Sequence, residues 1–218
     1  YDDSGFYLDN GVAIAHNRLS IVGNKGKQPI VSKEQDIVAV VNGEFYGYQK
    51  IRERCQYEGY QFLTETDSEI VIPLYQKLGL TKSFFDELNG EFASIIYDKR
   101  NHKVIAFRDR FGVNPLYYYT DNNNIYFASE QKAFLAVNNM DWSDNALNSI
   151  LTMQYHSSQS TLLKNVKQVQ AGSFLVIDLN TMSIEESRYW DINYQPDNNM
   201  TEKDAKEALR EALTSSVS

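Results

Sequence analysis

Apolar positions along the chain switch between the spacing of strands and the spacing of helices, and the switches mark out its elements. Ile37 to Val41 is an unbroken apolar run closing on Asn42-Gly43-Glu44, the pattern of a strand buried on both faces. Val12 to His16 and Arg18 to Val22 read as a pair of short strands, followed by a Gly-, Asn- and Lys-rich turn region up to Pro29. Tyr48 to Glu58 carries Ile51 and Cys55 four apart with Gly59 behind it, which predicts a helix with Cys55 as a core side chain. Thr66 followed by Glu69 has the form of a capping box. It predicts a helix running to about Leu78, with Ile70, Leu74 and Leu78 on one stripe, Gly79 as its stop and a bend at Pro73.

Further on, Phe92 to Tyr97 and Lys103 to Arg108 predict a hairpin across Asp98-Lys99-Arg100-Asn101, and Leu116 to Thr120 with Ile125 to Ala128 a second. Ser143 is placed to cap a helix carrying Leu147, Ile150 and Leu151. Ser173 to Leu179 and Ile184 to Tyr189 form a last hairpin. Gln195 to Asn199 reads as a polar linker, and Thr201 opens an amphipathic helix with Ala205, Leu209, Leu213 and Val217 on one side. That stripe has no following element to cover it.

A chain of 218 residues can bury a sizeable core, and no apolar stretch approaches membrane-spanning length. Neither a membrane span nor a signal peptide is expected. The net charge of −8, with no Lys/Arg cluster, argues against nucleic-acid binding. The single cysteine, Cys55, excludes an internal disulfide and fits a reducing cytoplasm; with three histidines beside it, a structural zinc site is not supported.

Polar groups at the end of a buried strand suggest a pocket for a small polar ligand. Arg18 can grip a carboxylate with its fork of donors, Asp67 can pair with an ammonium, and the Asn42 amide with the Gly43 N–H can stabilise an oxyanion. An amino acid with an amide side chain meets all three demands. Each residue also has a plainer explanation. Arg18 could be a surface ion-pair residue, Asn42-Gly43 a tight turn, Asp67 a carboxylate favoured by a helix dipole, and Glu44 an exposed loop residue. A second Asn-Gly-Glu-Phe, Asn89 to Phe92, follows the helical stretch Phe84 to Leu88 and reads as a left-handed helix stop. Arg108 and Asp109 read as a buried pair bracing the Phe111 to Leu116 loop, with Glu130 and Lys132 likewise structural. His16, His102 and His156 fall in no recognised nucleophile arrangement.

Three segments in order, His16-Asn17-Arg18-Leu19-Ser20-Ile21-Val22, Asn42-Gly43-Glu44 and Thr64-Glu65-Thr66-Asp67-Ser68-Glu69, resemble the class II glutamine amidotransferase domain of asparagine synthetases. Arg108 to Tyr118 and Phe127 to Ala133 are similar to that family's later motifs. The resemblance implies an α+β fold of the N-terminal-nucleophile hydrolase kind, a four-layer αββα sandwich of two antiparallel sheets. It implies L-glutamine as ligand, with Arg18 on its carboxylate, Asp67 on its ammonium, Asn42 and Gly43 as oxyanion hole, Glu44 lining the site, and Leu19, Ser20, Ile21 and Val22 adding backbone contacts.

In the family, an opening cysteine attacks the glutamine amide. This chain opens on Tyr1-Asp2-Asp3-Ser4-Gly5, so the nucleophile is expected outside these residues, and the fragment alone is expected to be inactive. Residues 1–194 would be the amidotransferase domain, and 195–218 a linker and first helix of a synthetase domain packing against it. No cofactor is expected in the first; ATP and magnesium belong to the second. A homodimer and a cytoplasmic location are compatible with the resemblance. Two alternatives stay open: a nucleophile-less glutamine-binding or scaffold module, and an amidotransferase acting on a sugar or natural-product precursor.

Overall fold

The computed structural model describes residues 3–18, 26–154 and 161–217, with the side chains of Asp3 and Arg18 left aside. Its centre is a six-stranded antiparallel sheet built from β3 (Ile30–Val31), β4 (Ile37–Phe45), β5 (Gly90–Asp98), β6 (Lys103–Arg108), β10 (Ser173–Asp178) and β11 (Ser183–Arg188), in the order β11-β10-β6-β5-β4-β3. Ile37 to Val41 is buried on both faces, as an uninterrupted apolar strand requires. Ile37, Ala39, Val41 and Phe45 point to one side, where Phe92, Ile105 and Phe107 join them. Val38 and Val40 point to the other, with Ala93, Val104, Ala106 and Leu175.

Helices α1 (Tyr48–Tyr57), α2 (Val71–Leu78) and α3 (Lys82–Glu87) cover the first face, the last two supplying Val71, Leu74, Tyr75, Phe84 and Phe85. On the second face lie two smaller antiparallel pieces. One is the hairpin β1 (Asp3–Asp9) and β2 (Val12–Arg18), which contributes Ile14; the other is β7 (Tyr117–Thr120), β8 (Ile125–Ala128) and β9 (Lys167–Gln168), which contributes Tyr118. The outer side of the β7 sheet packs Tyr119 on Phe134, Leu163 and Val166, so helical segments close that side too. This is the expected α+β layering, with the second sheet in two pieces among the described residues.

Several local expectations are corrected. β2 takes in Arg18 as its last residue and folds back onto β1 across Asn10-Gly11, whose positive φ values of 39° and 84° make the two-residue turn that matches strand twist, while Leu19 to Val22 of the expected second strand lie outside the described residues. Thr66 makes no side-chain cap, because Glu69 turns inward instead. Fully buried, its carboxylate accepts from the Leu63 N–H at 2.8 Å, the Thr64 N–H at 2.6 Å and the Thr64 hydroxyl at 2.6 Å. A short 3-10 turn, Asp67–Ile70, leads into α2, so Pro73 falls in the helix's first turn, where an N–H has no intrahelical partner, and no interior bond is broken. Gly90 ends no helix. α3 stops as Leu88 turns extended, and Gly90 is the first residue of β5. Helix α4 (Asp144–Met153) is capped by Ser143 as expected, but buries Ala146 and leaves Leu151 exposed.

Candidate functional site at the end of strand β4

β4 does not end at Asn42-Gly43-Glu44. It runs on to Phe45, paired throughout with β5, and the three residues are exposed while Val41 and Phe45 on either side are buried. The two Asn-Gly-Glu-Phe segments pair with each other: Gly43 lies opposite Phe92, Glu44 opposite Glu91 and Phe45 opposite Gly90. A local two-fold axis therefore passes between the two glutamates, and the Phe45 and Phe92 rings meet at 4.9 Å. Both glycines are there for the same reason. A Cβ on Gly43 would lie 1.9 Å from the Glu91 carbonyl oxygen, and one on Gly90 would lie 2.1 Å from that of Glu44. The strand needs glycine because its partner's backbone occupies the space.

What separates the two copies is the edge beside the first. Along an antiparallel strand, alternate residues turn their N–H and C=O to opposite neighbours. Ala39 faces β3. Val41 faces the Gln28 side chain: its N–H donates to Gln28 Oε1 at 2.7 Å, and Gln28 Nε2 donates to the Val41 carbonyl at 3.0 Å. The Phe45 N–H donates to Asp67 Oδ2 at 2.7 Å on the same edge. Gly43 stands between them in that row, so by the same alternation its N–H turns away from β5, toward the edge that Gln28 and Asp67 line. Phe92, opposite it, is committed elsewhere, donating to Asp109 Oδ2 at 3.2 Å and accepting from the Asp109 N–H at 2.8 Å. The Asn42 side chain, by the same alternation, leaves the strand on the face shared with Val40 and Ala93.

Asp67 opens the 3-10 turn and is half-buried; besides the Phe45 N–H it accepts from the Ser68 hydroxyl at 3.3 Å. Asn42, Gly43, Glu44 and Asp67 are thus brought to one place. Arg18 is the last residue of β2, with its Cα opposite Asp3. Its side chain, and Leu19, Ser20, Ile21 and Val22, lie outside the described residues. Gly26, where the described chain resumes, packs directly on Thr66, next to Asp67: a Cβ there would lie 1.9 Å from Thr66 Cγ2.

Desolvation and then the charges of Glu91 and Glu44 hold the Tyr46 hydroxyl above its ordinary pKa. Arg108 and Asp109 act as supports, each through backbone. Arg108 donates to the carbonyls of Asn114 at 2.7 Å, Val169 at 2.6 Å and Gly112, and Asp109 accepts from the N–H groups of Phe111, Val113 and Asn114. Burial lowers the Arg108 pKa, with the Asp109 charge opposing. Lys132 and Glu130 form an exposed ion pair. His102 sits in the β5–β6 turn and His156 outside the described residues.

Cys55 is buried under α1, and desolvation raises its thiol pKa, the reverse of what a nucleophile needs. A groove of about 390 Å³ beside it, lined by Glu58, Tyr60, Pro73 and Lys77 among others, contains none of the β4 residues. Among the described residues, no group of three or more His, Cys, Asp or Glu side chains could hold a metal ion. Sequence reasoning missed Gln28.

Residues 1–190 match the family model of the glutamine amidotransferase domain. The chain belongs to that family. The amidotransferase domain is 34% identical to asparagine synthetase [glutamine-hydrolyzing] 1 of Bacillus subtilis over 99% of its own length and 34% of the relative's. It is 35% identical to amidase chry2 of Gibberella zeae, over 97% of this chain and 32% of that one. The chain thus spans about a third of the length of the curated relatives it matches. Among solved structures it resembles the B. subtilis glutamine phosphoribosylpyrophosphate amidotransferase in complex with ADP and GMP, with a TM-score of 0.58 at 20% identity, covering 82% of this chain and 35% of that one. The fold is that of the N-terminal-nucleophile glutamine amidotransferases.

Proposed function

We propose that the amidotransferase domain binds L-glutamine and hydrolyses its side-chain amide, as the glutaminase part of an asparagine synthetase that passes the ammonia to ATP-dependent amidation of aspartate. The observation that carries this is the position of Gly43, exposed on the edge of β4 between Val41 and Phe45, whose own N–H groups are already taken. When a thiolate adds to the amide carbon, the carbonyl oxygen becomes an oxyanion. A fixed peptide donor at Gly43 and the Asn42 carboxamide stabilise it, each such donor being worth about 3 kcal/mol. Asp67 receives the α-ammonium, Arg18 receives the α-carboxylate, Glu44 lines the site, and Leu19, Ser20, Ile21 and Val22 add backbone contacts.

Cys55 is not the attacking thiol, for it is buried under α1; the opening cysteine that the resemblance implies fills that role. Residues 1–194 make up the domain, 195–218 lead into a synthetase portion, and ATP and magnesium are bound there. Asn42→Ala in the full-length protein should lower glutamine hydrolysis about 100-fold while ammonia-dependent amidation is retained. Equal loss of both would remove the oxyanion assignment. A different acceptor is a second reading, favoured by identity to amidase chry2 as high as to the synthetase; mass measurement of the amidated product decides between them.

A further inference from the structure

Gln28 has no role in the chemistry above, yet its side chain is the nearest fixed support of the oxyanion donors. β3 pairs with β4 through Ile30 opposite Ala39 and Val31 opposite Val38. The same register carried back would set residue 28 opposite Val41. Residue 29 is proline, and main-chain pairing with β4 ends at Ile30. The Gln28 carboxamide continues it instead, accepting from the Val41 N–H at 2.7 Å and donating to the Val41 carbonyl at 3.0 Å. A primary amide offers the same donor and acceptor as a peptide group, so a side chain stands in for a strand residue.

The Val41 carbonyl belongs to the peptide that leads into Asn42, and Gly43 follows at once. Gly43 has no side chain to anchor it and lies at a φ of 146°. Its orientation depends on the groups fixed on either side: Val41 by Gln28, and Phe45 by Asp67. Gln28 is itself held, since β1 presses on its main chain closely enough that a Cβ on Gly5 would lie 2.1 Å from the Gln28 carbonyl oxygen.

We infer that Gln28 is a positioning residue for amide hydrolysis: its two hydrogen bonds to Val41 aim the Asn42 carboxamide and the Gly43 N–H at the developing oxyanion, without touching substrate. This rests on the function proposed above. In the full-length protein, Gln28→Met keeps the length and removes both bonds. Its kcat for glutamine hydrolysis should fall about 10- to 100-fold, the scale of a misplaced catalytic group. The KM for glutamine should stay within about two-fold, and ammonia-dependent amidation should be unchanged, as expected when only transition-state stabilisation is lost.

Gln28→Glu adds a signature that a structural role would not give. Its carboxylate still accepts from the Val41 N–H but opposes the Val41 carbonyl, whereas its protonated form restores both bonds. Its kcat relative to the parent protein should therefore rise as the pH falls from about 8 to about 5. An unchanged kcat in Gln28→Met, a loss confined to KM, or equal loss of glutamine- and ammonia-dependent activity would overturn the inference. Should Gln28→Met not fold, a pH-independent ratio for Gln28→Glu overturns it. Asn42→Ala separates the two levels: if it abolishes hydrolysis while Gln28→Met does not, only Gln28 loses its role, and if it has no effect the proposed function falls first.

Discussion

Gly43 and Gly90 occupy equivalent places about the local two-fold axis, yet only Gly43 borders the open edge. The difference is testable. Gly43→Ala puts a side chain at a φ of 146° and onto the Glu91 carbonyl oxygen, while Gly90→Ala collides with the Glu44 carbonyl oxygen. Backbone strain of this kind costs about 1–3 kcal/mol before the overlap is counted. Both variants should unfold at clearly lower denaturant concentration, and among molecules still folded only Gly43→Ala should also lose glutamine hydrolysis. Normal stability in Gly90→Ala would show that β4 and β5 can part there. The candidate residues Asn42, Gly43, Glu44 and Asp67 stand out in the sequence because their order along the chain is distinctive. Their geometry does not. Asn-Gly is locally a turn signal, and nothing near Asn42 or Asn89 announces that each segment finds the other, far along the chain, as its partner strand. The Asn-Gly that does turn, Asn10-Gly11, follows Phe6-Tyr7-Leu8, whose Phe6 and Leu8 stay exposed, so no buried stripe marks that segment as a strand.

At the scale of elements, the hairpins were readable wherever local chemistry sets the turn. The β5–β6 turn shows why. Asp98 accepts from the Asn101 N–H at 3.1 Å and its side-chain amide at 2.8 Å, and from the Tyr75 hydroxyl of α2 at 2.8 Å. Burial alone would raise the Asp98 pKa, but the hydrogen bonds from Asn101 and Tyr75 outweigh it and hold the carboxyl below its ordinary value. A carboxyl depressed on folding contributes stability that is present above its unfolded pKa of about 3.9 and is lost as the pH falls through the lower folded value. The protein should therefore lose stability below about pH 4. Asp98→Asn should be less stable at neutral pH by about 1–3 kcal/mol and show a shallower acid limb in pH-dependent denaturation. An acid limb identical to the parent's would remove Asp98 from that transition. The start of α2 was misread by the opposite route. Thr66 and Glu69 have the spacing of a capping box, but the N–H groups of Leu63 and Thr64 compete for the same carboxylate, which is itself fully buried, and they prevail.

For the whole molecule, the layered fold follows from one strand pattern: Ile37 to Val41 must be covered on both sides, so helices gather on one face of the sheet and the smaller sheets on the other. Apolar spacing predicted the individual strands and helices and the family resemblance implied their layering, whereas the two-piece second sheet depends on contacts between distant segments. The C-terminal helix α5 (Glu202–Val217) stands apart from this packing. Thr201 caps it, accepting from the Asp204 N–H at 3.2 Å, but every described residue from Asp191 onward is exposed, Leu209 by 60% and Leu213 by 58%. A helix that buries no apolar side chain adds nothing to the core, since helical stability in proteins comes mainly from packing an apolar face. Ending the chain after residue 194 should consequently leave its thermal midpoint within about 2 °C, no more than the shift of about 2–4 °C that 1 kcal/mol produces in a domain of this size. Scanning calorimetry of the two chain lengths measures it. A drop of 5 °C or more would mean that α5 packs on the sheet layers in solution, and the domain boundary would have to move beyond it.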